Sequence, residues 1–168
     1  MDKYCEICAD ICPIDILSIE ARNQVFTAYS SKTDTIKKEV SQAIETLKST
    51  TDTDWVEWQK DLEIINDIIY CNICNNIIKS KAILIELSDL NFNVIFEYGY
   101  ALALNKKIHI TVNKDFDFKD IERFFSVFLG VGVGKYEPGK LSVSGHLKMY
   151  RLWALQSVPP QRVQFSSF

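Results

Sequence analysis

Apolar positions between residues 25 and 112 follow two rhythms, one of period two and one near 3.6. Val25-Phe-Thr-Ala-Tyr-Ser30 is a short β-branched and aromatic run closed by a Ser-Ser-Lys-Thr-Asp turn. That pattern predicts a strand followed by helix-capping residues. Ile36, Val40, Ala43 and Leu47 then recur at intervals of four, three and four, which predicts an amphipathic helix over 34–48. A second helix is predicted over about 55–79, with Trp58, Leu62, Ile65, Ile69, Ile73 and Ile77 along one stripe. Ile64, Ile68, Cys71, Cys74 and Ile78 fill much of its other side, so it needs cover on two faces. One cover is a sheet, and a cysteine-bearing N-terminal arm is the candidate for the other.

Ala82-Ile-Leu-Ile-Glu-Leu87 is a nearly continuous apolar run, suited to a central parallel strand buried on both sides. Ser88-Asp-Leu-Asn-Phe-Asn93 is loop chemistry. The next helix is expected to start with Asn93 as its N-cap and to run to Lys106, with Lys106 and Lys107 near its negative end. Lys107-Ile-His-Ile-Thr-Val112 is the following strand. Alternating strands and helices predict an α/β domain of three layers around a mainly parallel sheet. Ligands of such sheets bind beyond the carboxyl ends of the strands, which points to the loops over 29–34 and 88–97.

Three zones differ in texture: a Cys-containing arm over 1–23, a core over 24–129 and a C-terminal extension over 130–168. Residues from 114 onward hold five of the six glycines and three of the four prolines. Gly130-Val-Gly-Val-Gly-Lys135 lacks the spacing of a phosphate-binding loop and is expected to be a flexible connection. From Lys135 onward there are five basic residues against one acidic, a strip expected to pack across the core or to mediate self-association.

The net charge of −3 supplies no global basic field for nucleic acid or anionic membrane. No apolar run approaches the roughly 20 residues of a membrane span, and the first residues lack the features of a signal peptide. Five cysteines, clustered as Cys5, Cys8 and Cys12 and then Cys71 and Cys74, suit a reducing compartment better than a secreted disulfide frame. A cytoplasmic protein is expected. Cys5, Cys8, Cys71 and Cys74 could close a tetrahedral structural zinc site. The competing and preferred expectation is that they act as small buried hydrophobes.

Glu97 is the acidic residue placed in the opening turns of the helix after the central strand, where the helix N-terminus favours the ionised form. Gly99 costs roughly 1 kcal/mol against alanine inside a helix, and close approach of a ligand or a backbone would explain it. Asn93, Glu97, Tyr100 and Ala101 share one face at helical spacing. A carboxylate flanked by amide, aromatic and small side chains could receive a sugar ring. The plain alternative is a glutamate that only suits the helix dipole and lies in water.

Residues 80–106, with Asn93-Val-Ile-Phe-Glu-Tyr-Gly-Tyr-Ala at their centre and Lys106 before the next strand, resemble TIR-like and nucleoside 2-deoxyribosyltransferase-like nucleotide-binding domains. Tyr70-Cys-Asn-Ile-Cys-Asn-Asn-Ile and Asp115-Phe-Asp-Phe extend the likeness loosely, with Asp115 where proline is common. The resemblance implies a TIR-like or flavodoxin-like fold and cleavage of an N-glycosidic bond, with NAD or a related nucleotide as substrate and no required cofactor. It places Glu97 at the anomeric carbon, as nucleophile or as stabiliser of a cationic transition state. Asp89, Asn91 and Asn93 would orient ribose hydroxyls or the glutamate. Tyr29, Ser30 and Ser31 would face phosphate or ribose, and Trp55 or Tyr100 would stack on a base. Each also has a plain role, since Tyr29 and Trp55 suit the core and the serines suit a helix cap. Asp54, Glu86 and Asp89 are available as a second carboxylate. By analogy, the protein would act as a homo-oligomer or beside a sensor partner, as a defence or stress effector. The alternatives are a module that binds a nucleotide messenger without chemistry and an assembly adaptor.

Overall fold

The computed structural model describes residues 22–57, 69–116 and 133–141. Its elements are β1 (Arg22–Ala28), α1 (Asp34–Thr50), β2 (Asp54–Glu57), α2 (Ile69–Lys79), β3 (Ser80–Glu86), α3 (Phe92–Ala103), β4 (Lys107–Asn113) and β5 (Val133–Tyr136). The five strands form one sheet in the order β2-β1-β3-β4-β5, and every pairing is parallel. The apolar run expected to be the central strand is central, because β3 has two strands on each side.

Side-chain alternation divides the core into two layers. Val25 of β1, Trp55 of β2 and Ala82 and Leu84 of β3 pack with Ile36, Val40, Ala43, Ile44 and Leu47 of α1. Phe26, Ala28, Val56, Ile83, Ile85, Ile110 and Val112 point the other way, onto Ile73 and Ile77 of α2 and Val94, Tyr98 and Ala101 of α3. A strand covered on both faces by helices is apolar on both, which is why β3 runs apolar without alternation from Ala82 to Ile85.

The structure corrects the sequence in three places. Asp54–Glu57 does not open a helix; it pairs with β1 in register from Gln24 to Thr27. Trp55 and Val56 gain burial on opposite faces of the sheet, and that tertiary gain overrides the helical period. Residues 58–68 of the expected helix lie outside the described residues, as do residues 1–21 of the expected N-terminal arm, whose last two residues, Arg22 and Asn23, open β1. Val133–Tyr136, expected to belong to a flexible connection, is a strand on β4, so the sheet continues past residue 129. The helix cap is Asn91 rather than Asn93, because the Asn91 side chain accepts from the Asn93 amide at 2.9 Å.

Lys106 also does a different task from the one expected. Its Nζ donates to the carbonyls of Ile78 and, at 2.8 Å, Ser80. It therefore sits at the negative end of α2 and ties that helix to the turn before β4. Asn105, at φ 53°, makes the left-handed turn that releases the chain from α3. Leu84 lies at the centre of β3 with 1% exposure, so Leu84→Ala is expected to cost 2–5 kcal/mol, about the range for core truncations. Urea unfolding of the two proteins checks this, and a loss below about 1 kcal/mol would contradict the layer assignment.

Candidate functional site

The chain leaves β1 through α1 toward β2 and returns through α2, on the other side of the sheet, to β3. The carboxyl ends of β1 and β3 therefore diverge at a topological switch point, where open α/β sheets leave a crevice. Four side chains lace the two loops there. Ser30 Oγ donates to Asp89 Oδ2 at 2.7 Å, and Thr33 Oγ1 donates to the same oxygen at 3.1 Å. Asn91 Nδ2 donates to Ser30 Oγ at 3.3 Å while its Oδ1 caps α3. The N-cap threonine of α1 spends its hydroxyl on Asp89, and α1 has no side-chain cap of its own.

Three sequence-predicted residues, Ser30, Asp89 and Asn91, thus form one hydrogen-bonded cluster. Ser31 is exposed beside it, and Asn93 is exposed on the first turn of α3. Tyr29 and Trp55 are elsewhere in kind: both are core residues, exposed by 1% and 2%. Tyr29 OH donates to Glu57, which also accepts from Ser41 Oγ at 2.6 Å, and Trp55 Nε1 donates to Thr51 Oγ1 at 3.0 Å. Tyr100 is half-buried and stacks on Phe96, with ring centroids 6.1 Å apart and planes 8° from parallel.

Glu97 occupies the second turn of α3, on the face that packs against the sheet, and is only 2% exposed. Its Oε2 has no hydrogen-bond partner among the described residues. Burial, with no compensating donor, pushes its carboxyl up to about 8. The expectation of an ionised glutamate favoured by the helix N-terminus is therefore corrected, since desolvation outweighs a dipole term worth about 1 kcal/mol.

Glu86 supplies the contrast. It ends β3, fully buried, and accepts from the Ser88 amide at 3.2 Å, from Ser88 Oγ and from Tyr136 OH at 3.1 Å. Burial raises it to about 7, and the Ser88 and Tyr136 donors hold it below Glu97. Ser88 Oγ also accepts from the Asn113 amide at 2.6 Å, so Glu86 anchors the loop that carries Asp89 and Asn91. Sequence spacing offered no sign of Thr33 or Glu57 in these networks, because their partners Asp89 and Tyr29 are distant in the chain, nor of Ser88, whose hydroxyl links neighbouring Glu86 to distant Asn113. Asp54, another candidate carboxylate, starts β2 and so sits at the opposite edge of the sheet.

Gly99 is exposed, and a Cβ built there would meet nothing within 4 Å. No neighbouring backbone among the described residues explains it. Cys71 and Cys74 are buried on α2 and are not in a disulfide; Cys5 and Cys8 lie outside the described residues. Among the described residues, no group of three or more His, Cys, Asp or Glu side chains is placed to hold a metal.

The described residues define an all-parallel α/β domain with its candidate site at the strands' carboxyl edge. No protein-family model and no curated protein matches the chain. Among solved structures, it is similar to the CMP N-glycosidase BcmB of Clostridium botulinum, at 17% identity and a TM-score of 0.55. The likeness covers 77% of this chain and 98% of that one, so the fold is shared over nearly the whole of the neighbour.

Glu97→Gln is expected to stabilise the protein in a pH-dependent way. The unfolded glutamate ionises near 4.5, while the folded one holds its proton to about 8. Wild type therefore loses stability as pH rises across that window, and the glutamine variant does not. The gap should open above the lower value and reach a few kcal/mol, on the order of three pK units, at the upper. Denaturant melts from pH 4 to 9 check it (roughly the window of the shift). A gap that does not change with pH would contradict the burial of the carboxyl.

Proposed function

We propose that the protein breaks the N-glycosidic bond of a nucleotide or nucleoside, with NAD and nucleoside monophosphates as the substrate classes to test first. The observation that carries this is Glu97, a buried carboxyl with an unpartnered oxygen on the helix that follows the central strand. The printed activity of the structural neighbour, a CMP N-glycosidase, and the TIR-like and deoxyribosyltransferase-like character of residues 80–106 support the same chemistry.

The physical requirement is a negative charge beside a sugar carbon that turns cationic as its bond to the base lengthens. An ionised Glu97 supplies it in a site of low dielectric, where the interaction is stronger than in water. Hydrolysis balances when water adds its oxygen to C1′ and the departing nitrogen takes a proton. Asn91 and Asp89, held by Ser30, fix the start of α3 and offer polar groups to ribose. Ser31 and Asn93, exposed beside them, are proposed further contacts. Tyr29 acts from behind, through Glu57, and Tyr100 through its stack on Phe96. Trp55 keeps its core role. No cofactor is required. A role as a defence or stress effector, with a homo-oligomer or a sensor partner, belongs to the same proposal.

The free protein holds Glu97 largely neutral at pH 7, roughly nine-tenths protonated for a carboxyl titrating near 8. The reactive form therefore has to be reached by deprotonation. kcat/KM should climb about tenfold for each pH unit below 8 and level off above it. The same neutrality favours the runner-up, a module that binds a nucleotide messenger without chemistry.

Incubation with NAD, CMP and nucleosides, followed by chromatography of free base, separates the two. The enzyme releases base, and Glu97→Gln should lower the rate by about 100-fold or more, the scale of losing a key electrostatic group. Saturable binding with no free base would favour the messenger module, and equal rates for both proteins would end the assignment of Glu97. Asn91→Ala removes the cap and the contact to Ser30. It should cost about 1–2 kcal/mol of stability and lower base release in parallel.

A further inference from the structure

Among the described residues two helices start at the crevice, and both starts are spent on groups of the chain itself. α3 is capped by Asn91, whose Oδ1 accepts from the Asn93 amide at 2.9 Å. α1 begins at Thr33, which makes no side-chain cap bond and gives its hydroxyl to Asp89 Oδ2 at 3.1 Å. Ser30 Oγ donates to that same oxygen at 2.7 Å. Asp89 is fastened in this way against the start of α1, and Asp34 in the first turn adds a second carboxyl.

The start of the helix after the first strand is where open α/β sheets commonly hold a phosphate, since free amides and the helix dipole favour an anion there. In this chain that place already has its anion. The side chain of Asp89 faces the positive end of α1 and is held by two hydroxyls, so it cannot swing away without losing both. The turn from Ser30 to Asp34 contains no glycine, so it offers no bare backbone for the close approach of phosphate oxygens. Lys32 is the one cation of that turn, and it is exposed, where solvent and salt screen its charge. A phosphate group would bring like charge and further acceptors to an acceptor that is already negative.

Sugar hydroxyls meet the opposite reception. Both protein donors sit on Oδ2 of Asp89, which leaves Oδ1 of this half-buried residue to accept from a ligand. A ribose supplies such donors, and a phosphate dianion does not. We infer that the crevice selects phosphate-free nucleosides over their 5′-phosphates, with Asp89 as the residue that sets the preference. The inference rests on the reading of this crevice as a nucleoside or nucleotide site and narrows its substrate class.

Isothermal titration calorimetry of the full chain tests it with two matched pairs, cytidine against CMP and nicotinamide riboside against its 5′-phosphate. Glu97→Gln serves as the background, so that turnover does not consume the ligand. Each nucleoside should bind at least tenfold more tightly than its phosphate, about the least that one fixed like charge costs at short range. Asp89→Asn keeps an oxygen for Ser30 and Thr33 and removes the charge, so the ratio should move at least tenfold toward the phosphates. Asp34→Asn, at an exposed position that the fold does not depend on, should move it the same way by a smaller factor. Phosphates that bind as tightly as their nucleosides, or a ratio that Asp89→Asn leaves unmoved, would overturn the inference and leave the role of Glu97 to the base-release assay. A chain that binds no member of either pair would overturn the inference together with the reading it rests on.

Discussion

A carboxyl group removed from water must either find donors and cations or stay neutral, and Glu97 stays neutral. That constraint organises much of the molecule. Its helix, α3, is anchored at the start by Asn91, which is tied to Ser30 and through it to Asp89. The loop before it is anchored from below by Glu86 through Ser88. Glu86 and Glu97 are both buried and both raised, yet only Glu86 has donors on it. Glu86 spends one oxygen on Ser88 and Tyr136 and so holds structure, although its Oε2, like that of Glu97, has no partner among the described residues; Glu97 has no such anchor. Glu39 and Glu57 also leave a buried oxygen unpartnered among the described residues; what sets Glu97 apart is that burial alone, with no donor opposing it, raises its carboxyl.

Much of the architecture was legible in the residues. The run over Ala82–Leu87 is central, and all six of its residues, Glu86 included, are buried. The four-three-four spacing of α1 survives in Ile36, Val40, Ala43 and Leu47, all buried in one layer. The switch-point loops were also legible, and Ser30, Asp89 and Asn91 do meet there.

The rest was hidden for physical reasons. Asp54–Glu57 is only four residues long, and its identity as a strand depends on β1 lying beside it. Val133–Tyr136 is glycine-bearing and acquires its role by pairing with β4 and by placing Tyr136 against Glu86. The protonation of Glu97 could not be seen at all in one dimension. Helix position argues for charge, burial argues against it, and burial is a property of the packed layers.

α3 carries the candidate catalytic carboxyl on its buried side. Everything proposed for Glu97 depends on its holding its proton in the folded protein. Carbon-13 NMR of the glutamate side-chain carboxyls, titrated with pH and assigned by comparison with Glu97→Gln, reads that proton directly. The account predicts one resonance, absent from the variant, with its midpoint near 8. A Glu97 midpoint near 4.5, the value of a glutamate in water, would contradict it.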